Sequence, residues 1–247
     1  MIDITAVITG HREGLLAGPA LRSLYAAVAH ARAAGKTVEA LAVLDSPDNV
    51  TSAVFAGQPA DQIRVVLNGG GDPALTRGRG VQEACGAHVA FLDADDLWSE
   101  NWLTAAHDFV RHSAQPVVAH SEMNVVFGTM RAIWWHADSE AAGFDADFQR
   151  VGNYWDAMCL ARRDVFLAHP FRKNDIQAGY GHEDWHWNNV TLAAGIAHRP
   201  VPGTVHFKRR RDKSQMELCD KGDVVVYPTT MTQYETMKAS PASRQTA

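Results

Sequence analysis

Through the first hundred positions, apolar residues come in short continuous runs, and between the runs their spacing turns helical. Ile4 to Thr9, a run rich in β-branched residues, and Val38 to Leu44, Arg64 to Leu67 and His88 to Leu92 read as four strands. Leu15 to Ala34 carries Leu21, Leu24, Tyr25 and Val28 at helical spacing and stops at Gly35. Ser46-Pro47-Asp48-Asn49 is turn chemistry that can open a helix. Leu75 to Cys85 and Ser99 to about His112 read as helices. Strands buried along their whole length, alternating with helices, predict an α/β fold. Its sheet is mostly parallel and flanked by helices on both faces.

The second half is less regular. Pro116 to Met123 and Met130 to His136 read as strands about a turn near Gly128. Ala137 to Tyr154 is a polar loop, long enough to suggest a functional role. Asp156 to Leu160 reads as a strand and Arg162 to Leu167 as a short helix. A further helix starts in His182–Trp187 and ends near Gly195. Ala197 to Lys208 is extended, and Pro200 and Pro202 place it at a sheet edge. Residues 221–247 are weakly patterned and expected to form a partly disordered tail, with Ala239 to Ala247 disordered.

Composition narrows the class. A chain of 247 residues suits one domain with long loops. The net charge of -5, with no basic stripe, argues against a nucleic-acid partner. Cys85, Cys159 and Cys219 are odd in number and far apart, which reads as reduced thiols in a cytoplasmic protein. No apolar run reaches the roughly 18 residues of a membrane helix.

The candidate chemistry lies at strand ends, where open parallel sheets bind ligands. Thr9, His11 and Glu13 follow the first strand, Asp45 the second, and Asp93, Asp95 and Asp96 the fourth. Three carboxylates in four residues repel one another unless a cation sits among them. A hard divalent ion shared with substrate phosphates suits such a place. An acidic turn that merely caps a helix is the plainer alternative.

Four segments then fall into a known order. They are Ile8–Gly14, Val43-Leu44-Asp45, Arg77–Gly86 and Phe91-Leu92-Asp93-Ala94-Asp95-Asp96, followed by Gly181-His182-Glu183-Asp184-Trp185. The combination resembles family 2 glycosyltransferases, inverting enzymes of the GT-A fold, over roughly the first 215 residues. The resemblance implies one Rossmann-like GT-A domain over 1–220, its nucleotide-binding half in about 1–100 and its acceptor and catalytic half in about 101–220. It implies that Thr9 and Glu13 line the nucleotide pocket, that Asp45 bonds the base edge, that Arg77 supports the nucleotide end and that Asp93 contacts the ribose. Asp95 would hold a Mg²⁺ or Mn²⁺ ion on the donor diphosphate, with His206 as a further ligand. Asp184 would be the general base, with Glu183 beside it. Lys208 to Ser214 would be a mobile flap, and Arg211 would reach the diphosphate. Gly78 stands where members usually carry Asn, and Asp45-Ser46-Pro47-Asp48 replaces a longer acidic run.

The reaction implied is metal-dependent transfer of a sugar from a nucleoside-diphosphate sugar, by family habit a uridine one, to a glycan or lipid-linked acceptor hydroxyl. Polysaccharide or glycoconjugate synthesis is the implied setting, with a lipid-linked acceptor met at the inner face of the membrane. Two rivals use the same residues. His182, Glu183 and His186 satisfy the H-E-x-x-H pattern of a zinc metalloprotease, but the extended form fails, because Asn189 and Leu192 stand where Gly and His are needed. A non-catalytic sugar-nucleotide or glycan-binding module is the other, and the intact acidic and Glu-Asp motifs argue against it.

Overall fold

All four early apolar runs become adjacent parallel strands. A computed structural model of the chain describes residues 1–211, 215–233 and 235. In chain order, β1 (Ile2–Gly10), α1 (Ala17–Ala33), β2 (Val38–Asp45), α2 (Asn49–Ala56), β3 (Arg64–Asn68), α3 (Pro73–Glu83) and β4 (Gly86–Asp93) form the first half. Their strands lie in the order β3-β2-β1-β4, and every pairing among them is parallel. The helix starts are encoded locally. Asp48 caps α2 by accepting the N–H of Thr51, and Asp72 caps α3 with Pro73 at the first helical position.

The second half adds β5 (Leu97–Trp98), α4 (Trp102–Arg111), β6 (Val117–Gly128), β7 (Ala132–Trp135), α5 (Ala146–Val151), β8 (Cys159–Arg162) and α6 (Arg163–Ala168). It continues with β9 (Tyr180–Gly181), α7 (Glu183–Ala193), β10 (Ala197–Arg210), α8 (Gln215–Lys221) and β11 (Val225–Val226). The main sheet runs β3-β2-β1-β4-β8-β6-β10-β5, with β7 on β6. Here β8 is antiparallel to both β4 and β6, so the parallel rule ends at β4. The sheet stays mostly parallel and is covered on both faces. Ile4, Ile8 and Leu92 pack with α1 and α4 residues, while Val7, Val43 and Phe91 pack with Val81, Phe166 and Trp187.

Three departures from the expected elements have local causes. The loop 137–154 contains α5, whose first turn is capped by Asp145, a signal hidden in an acidic stretch. The strand expected from Asp156 starts instead at Cys159, because the Asp156 carboxylate accepts the N–H of Met158 and holds a turn. Residues past 220 are not featureless as far as they are described. β11 pairs with β9, and Met231 is buried. Pro202 lies in the bulge of β10 between Val201 and Val205, and β10 has an outer neighbour only at His206 and Phe207. Asp212, Lys213 and Ser214 of the expected flap, and Ala239 to Ala247, lie outside the described residues.

Candidate functional site

Parallel register brings the first two site residues together. Thr9 and Asp93 end β1 and β4 as direct partners, and the Thr9 hydroxyl donates to Asp93 at 2.8 Å. Arg77 reaches them from the buried side of α3. One end of its guanidinium donates to Asp93 at 3.1 and 3.3 Å, the other to Glu183 at 2.8 Å. Arg77 is buried, and its two carboxylate partners hold its pKa above even the usual arginine value against the cost of burial. A buried charge needs such pairing to be tolerated. This one residue ties the end of the parallel sheet to the start of α7.

Around Arg77 the network continues. Glu183 also accepts from the Asn174 side-chain amide at 3.0 Å, and that amide donates to Asp72 at 3.1 Å. Burial and the nearby Glu183 push the Asp72 carboxyl up. Asp45, expected at a base edge, has its carboxylate occupied. It accepts the N–H groups of Gly71 and Asp72 at 3.1 and 2.9 Å and the Thr76 hydroxyl at 3.2 Å. Asp45 therefore pins the glycine-rich loop between β3 and α3, and meets the cleft as its wall.

The acidic turn after β4 divides its labour. Asp95 takes the Arg211 guanidinium at 2.5 Å, and Arg211 also donates to Glu13 at 3.1 Å. Burial, and the like charge of Asp96, push the Asp95 carboxyl up to about 7. Asp96 is buried and turns away, accepting from Arg209 N–H at 2.6 Å and pairing with His206 Nε2 at 3.0 Å.

His206 consequently meets Asp96 rather than Asp95. Its Nδ1 lies 3.2 Å from the Asn124 side-chain oxygen and 3.3 Å from Asp156. Both ring nitrogens are engaged, and the two carboxylates hold the imidazole protonated, with its pKa raised to about 9. In this structure the ring therefore pairs with Asp96 and Asp156, while Asp95 pairs with Arg211. Asp156 also binds Lys208 Nζ at 3.0 Å and the Asn124 amide at 2.8 Å. Lys208 and His206 hold its carboxyl well below the usual carboxylate range against the cost of burial.

Glu183 and Asp184 open α7, and their surroundings separate their roles. Glu183 is buried and bonded to Arg77 and Asn174. Asp184 is half-buried, lines the cleft, and accepts only the N–H of Trp185, at 2.7 Å. Burial and the Glu183 charge push its carboxyl up to about 6. That value suits a group that must take a proton near neutral pH.

Most of these residues line one cleft of about 790 Å³, with His206, Asn124 and Asn174 standing behind it. Thr9, Glu13, Asp45, Arg77, Asp93, Asp95 and Arg211 form one wall, and Glu183, Asp184, Trp185, Trp134 and Lys208 the other. Its volume is that of a small-molecule site. Among the described residues, no group of three or more His, Cys, Asp or Glu is placed to hold a metal ion. The donor set still fits a divalent ion of the kind that takes one or two carboxylates and completes its shell with phosphate oxygens and water. Asp95 carries a cation already, the Arg211 guanidinium, which marks its carboxylate as a place for positive charge.

The zinc alternative is not assembled. His182 stands at the N-cap of α7 in a left-handed conformation. Its ring packs edge-on against Trp185, whereas His186 packs against Tyr227. Sequence reasoning missed Asp72, Asn174, Asn124 and Asp156. Asp72-Pro73 is a visible helix start, but nothing local marks the other three as partners of a distant Glu or His.

Comparison with known proteins agrees with this fold. The sequence profile of the family described as glycosyl transferase family 2 matches residues 6–169. No curated protein sequence matches the chain. Among solved structures, the chain is similar to S. aureus TarS 1-349 in complex with UDP-GlcNAc, at 14% identity and a TM-score of 0.60, covering 96% of this chain and 65% of that one. It is also similar to the mannosyltransferase PcManGT from Pyrobaculum calidifontis in complex with GDP-Man and Mn²⁺, at 13% identity and a TM-score of 0.58, covering 87% and 59%. The chain thus spans less than two thirds of either structure, and at these identities the likeness speaks for the fold.

Proposed function

The chain belongs to glycosyl transferase family 2 and is a glycosyltransferase, and on that premise we propose that it moves a sugar from a nucleoside-diphosphate sugar to an acceptor hydroxyl with inversion. UDP is the favoured leaving group, and a glycan or lipid-linked molecule the acceptor. Complexes of similar folds with UDP-GlcNAc and with GDP-Man and Mn²⁺ support a nucleotide-sugar donor. No helix of the described residues is long and apolar enough to cross a membrane. A lipid-linked acceptor would be met at a membrane surface.

In this reading Thr9, Asp93 and Arg77 hold the ribose end of the donor, and the loop pinned by Asp45 shapes the base pocket. Asp95 would hold Mg²⁺ or Mn²⁺, and the chemistry such an ion would supply is to offset negative charge on the diphosphate. Lys208 and Arg211 add fixed positive charge beside it. Without a metal, His206 acts as a buried brace between Asp96 and Asp156; whether it also serves as the metal ligand expected from the sequence is what the His206→Asn variant tests. The acceptor oxygen forms a bond to the anomeric carbon from the face opposite the diphosphate. The bond from that carbon to the phosphate oxygen breaks, its electron pair leaves with the diphosphate, and the acceptor proton passes to Asp184.

The observation that carries this reading is the pair at the start of α7: Glu183 tied to Arg77, and Asp184 free and facing the cleft. Asp184→Asn should lower transfer about 10³-fold, within the usual range for a lost general base. Turnover of a nucleotide-sugar donor by this variant at the wild-type rate would remove the assignment.

A further inference from the structure

The site accounts for one side of β6 and β10. The other side carries an apolar surface that no element of the described residues covers. Beyond the segment under α4, burial alternates along β6. Asn124 and Val126 are buried, whereas Met123, Val125 and Phe127 are half-buried. Cross-strand register extends this surface sideways. Met123 faces Trp135 and Val205, Val125 faces Ile133 and Phe207, and Phe207 faces Leu97. Paired residues share a face, so four strands present one apolar patch, opposite Asn124 and His206. At the β7 edge Ile133 is 62% and Trp135 60% exposed. None of these residues belongs to either hydrophobic core.

At ordinary strand spacings the patch covers roughly 15 by 17 Å. At roughly 250 Å² it approaches the largest apolar patch of a typical monomer, which is often functional, and an apolar centre with a charged rim is the anatomy of a protein interface. The rim is charged by end. Arg131 stands exposed near the Gly128 turn, and Arg209 lies there over the Phe127 ring at 4.4 Å. At the opposite end, the Gly203 turn is bonded by Glu122 and Asn101, and the exposed Glu100 adjoins Asn101.

We propose that this face is a self-association surface, on which a second copy of the chain packs about a two-fold axis. A two-fold operator lays a patch on its own image. With the strands of the two copies antiparallel, the arginine end of each copy meets the acidic end of the other, while Trp135, Ile133 and Val125 close the centre sheet on sheet. The charge polarity selects a second copy as occupant, because an anionic membrane would gain from the arginines and be repelled by the acids. The patch lies opposite Asn124 and His206, and Arg209 stands at the boundary between it and the cleft.

The test is the mass of the full chain by light scattering up to about 100 µM, a range in which a specific interface of ordinary quality is populated. The expected result is twice the chain mass of 27.0 kDa. Ile133→Lys combined with Trp135→Lys should give the monomer mass with unchanged circular dichroism. If that pair fails to fold, the single charge variants decide. Arg131→Glu should weaken dimerisation about tenfold, the scale of a rim ion pair, and Glu100→Arg added to it should restore much of the loss. A monomer at every concentration overturns the proposal. So does a wild-type chain that stays monomeric but binds vesicles containing anionic phospholipid through Trp135. A dimer that neither the lysine pair nor the charge variants weaken overturns it as well.

Discussion

The two walls of the cleft are built by different means. On the side proposed to hold the nucleotide, groups stand at the ends of adjacent parallel strands, where register alone brings Thr9 to Asp93. On the side proposed to face the acceptor, groups come from the start of α7, the end of β10 and the turn before β8. They are held by charge: Asp156 binds Lys208 and His206, and His206 binds Asp96. The strand ends of the first wall are positioned by the backbone register of β1 and β4. The second is an electrostatic assembly, in which removal of one member strands the others in a buried place.

Arg77 is the residue common to both walls, and the largest effect is expected there. Arg77→Met would leave Asp93 and Glu183 without their cation. Breaking a buried pair in this way costs about 3–5 kcal/mol, so urea denaturation should show a loss of that order together with lost activity. His206→Asn sharpens the distinction between brace and ligand. It should cost about 2–3 kcal/mol, as for a lost charged hydrogen-bond partner, yet leave Mn²⁺ affinity in the presence of UDP close to wild type. A sharp fall in metal affinity would return His206 to the metal.

The same contrast explains what was legible beforehand. The four parallel strands, their helices and the strand-end carboxylates stand in the sequence because each is a local pattern. Apolar runs end in Asp45 and Asp93, and caps open at Asp48 and Asp72. The Glu-Asp pair was visible as a motif, but not its division of labour, which depends on Asn174 and on Arg77, 106 positions from Glu183. His206 was placed correctly in an extended segment, and its partners Asn124 and Asp156 were not legible. Their meeting is set by β6 lying beside β10 and by a turn that ends where β8 begins.

Smaller effects test the acceptor side. Activity should follow the ionisation of Asp184. Its pKa is raised, so the ionised base is lost as the pH falls through about 6. The log of kcat/KM should climb with unit slope below that pH and level off above it. Glu183→Gln, which keeps a hydrogen-bond acceptor for Arg77, should lower turnover about tenfold, far less than Asp184→Asn. Trp134→Ala, at the cleft mouth, should raise the acceptor KM several-fold, the scale of one stacking contact, and leave donor binding alone.

The central claim is that the cleft has a donor wall centred on Asp95 and a chemical wall centred on Asp184. Calorimetric titration of UDP with Mn²⁺ into the wild type, Asp95→Asn and Asp184→Asn tests it without knowledge of the acceptor. The account predicts metal-dependent binding to the wild type, binding within a few-fold of it in Asp184→Asn, and loss of the metal dependence in Asp95→Asn. Undiminished metal-dependent binding in Asp95→Asn, or its abolition in Asp184→Asn, would contradict the account.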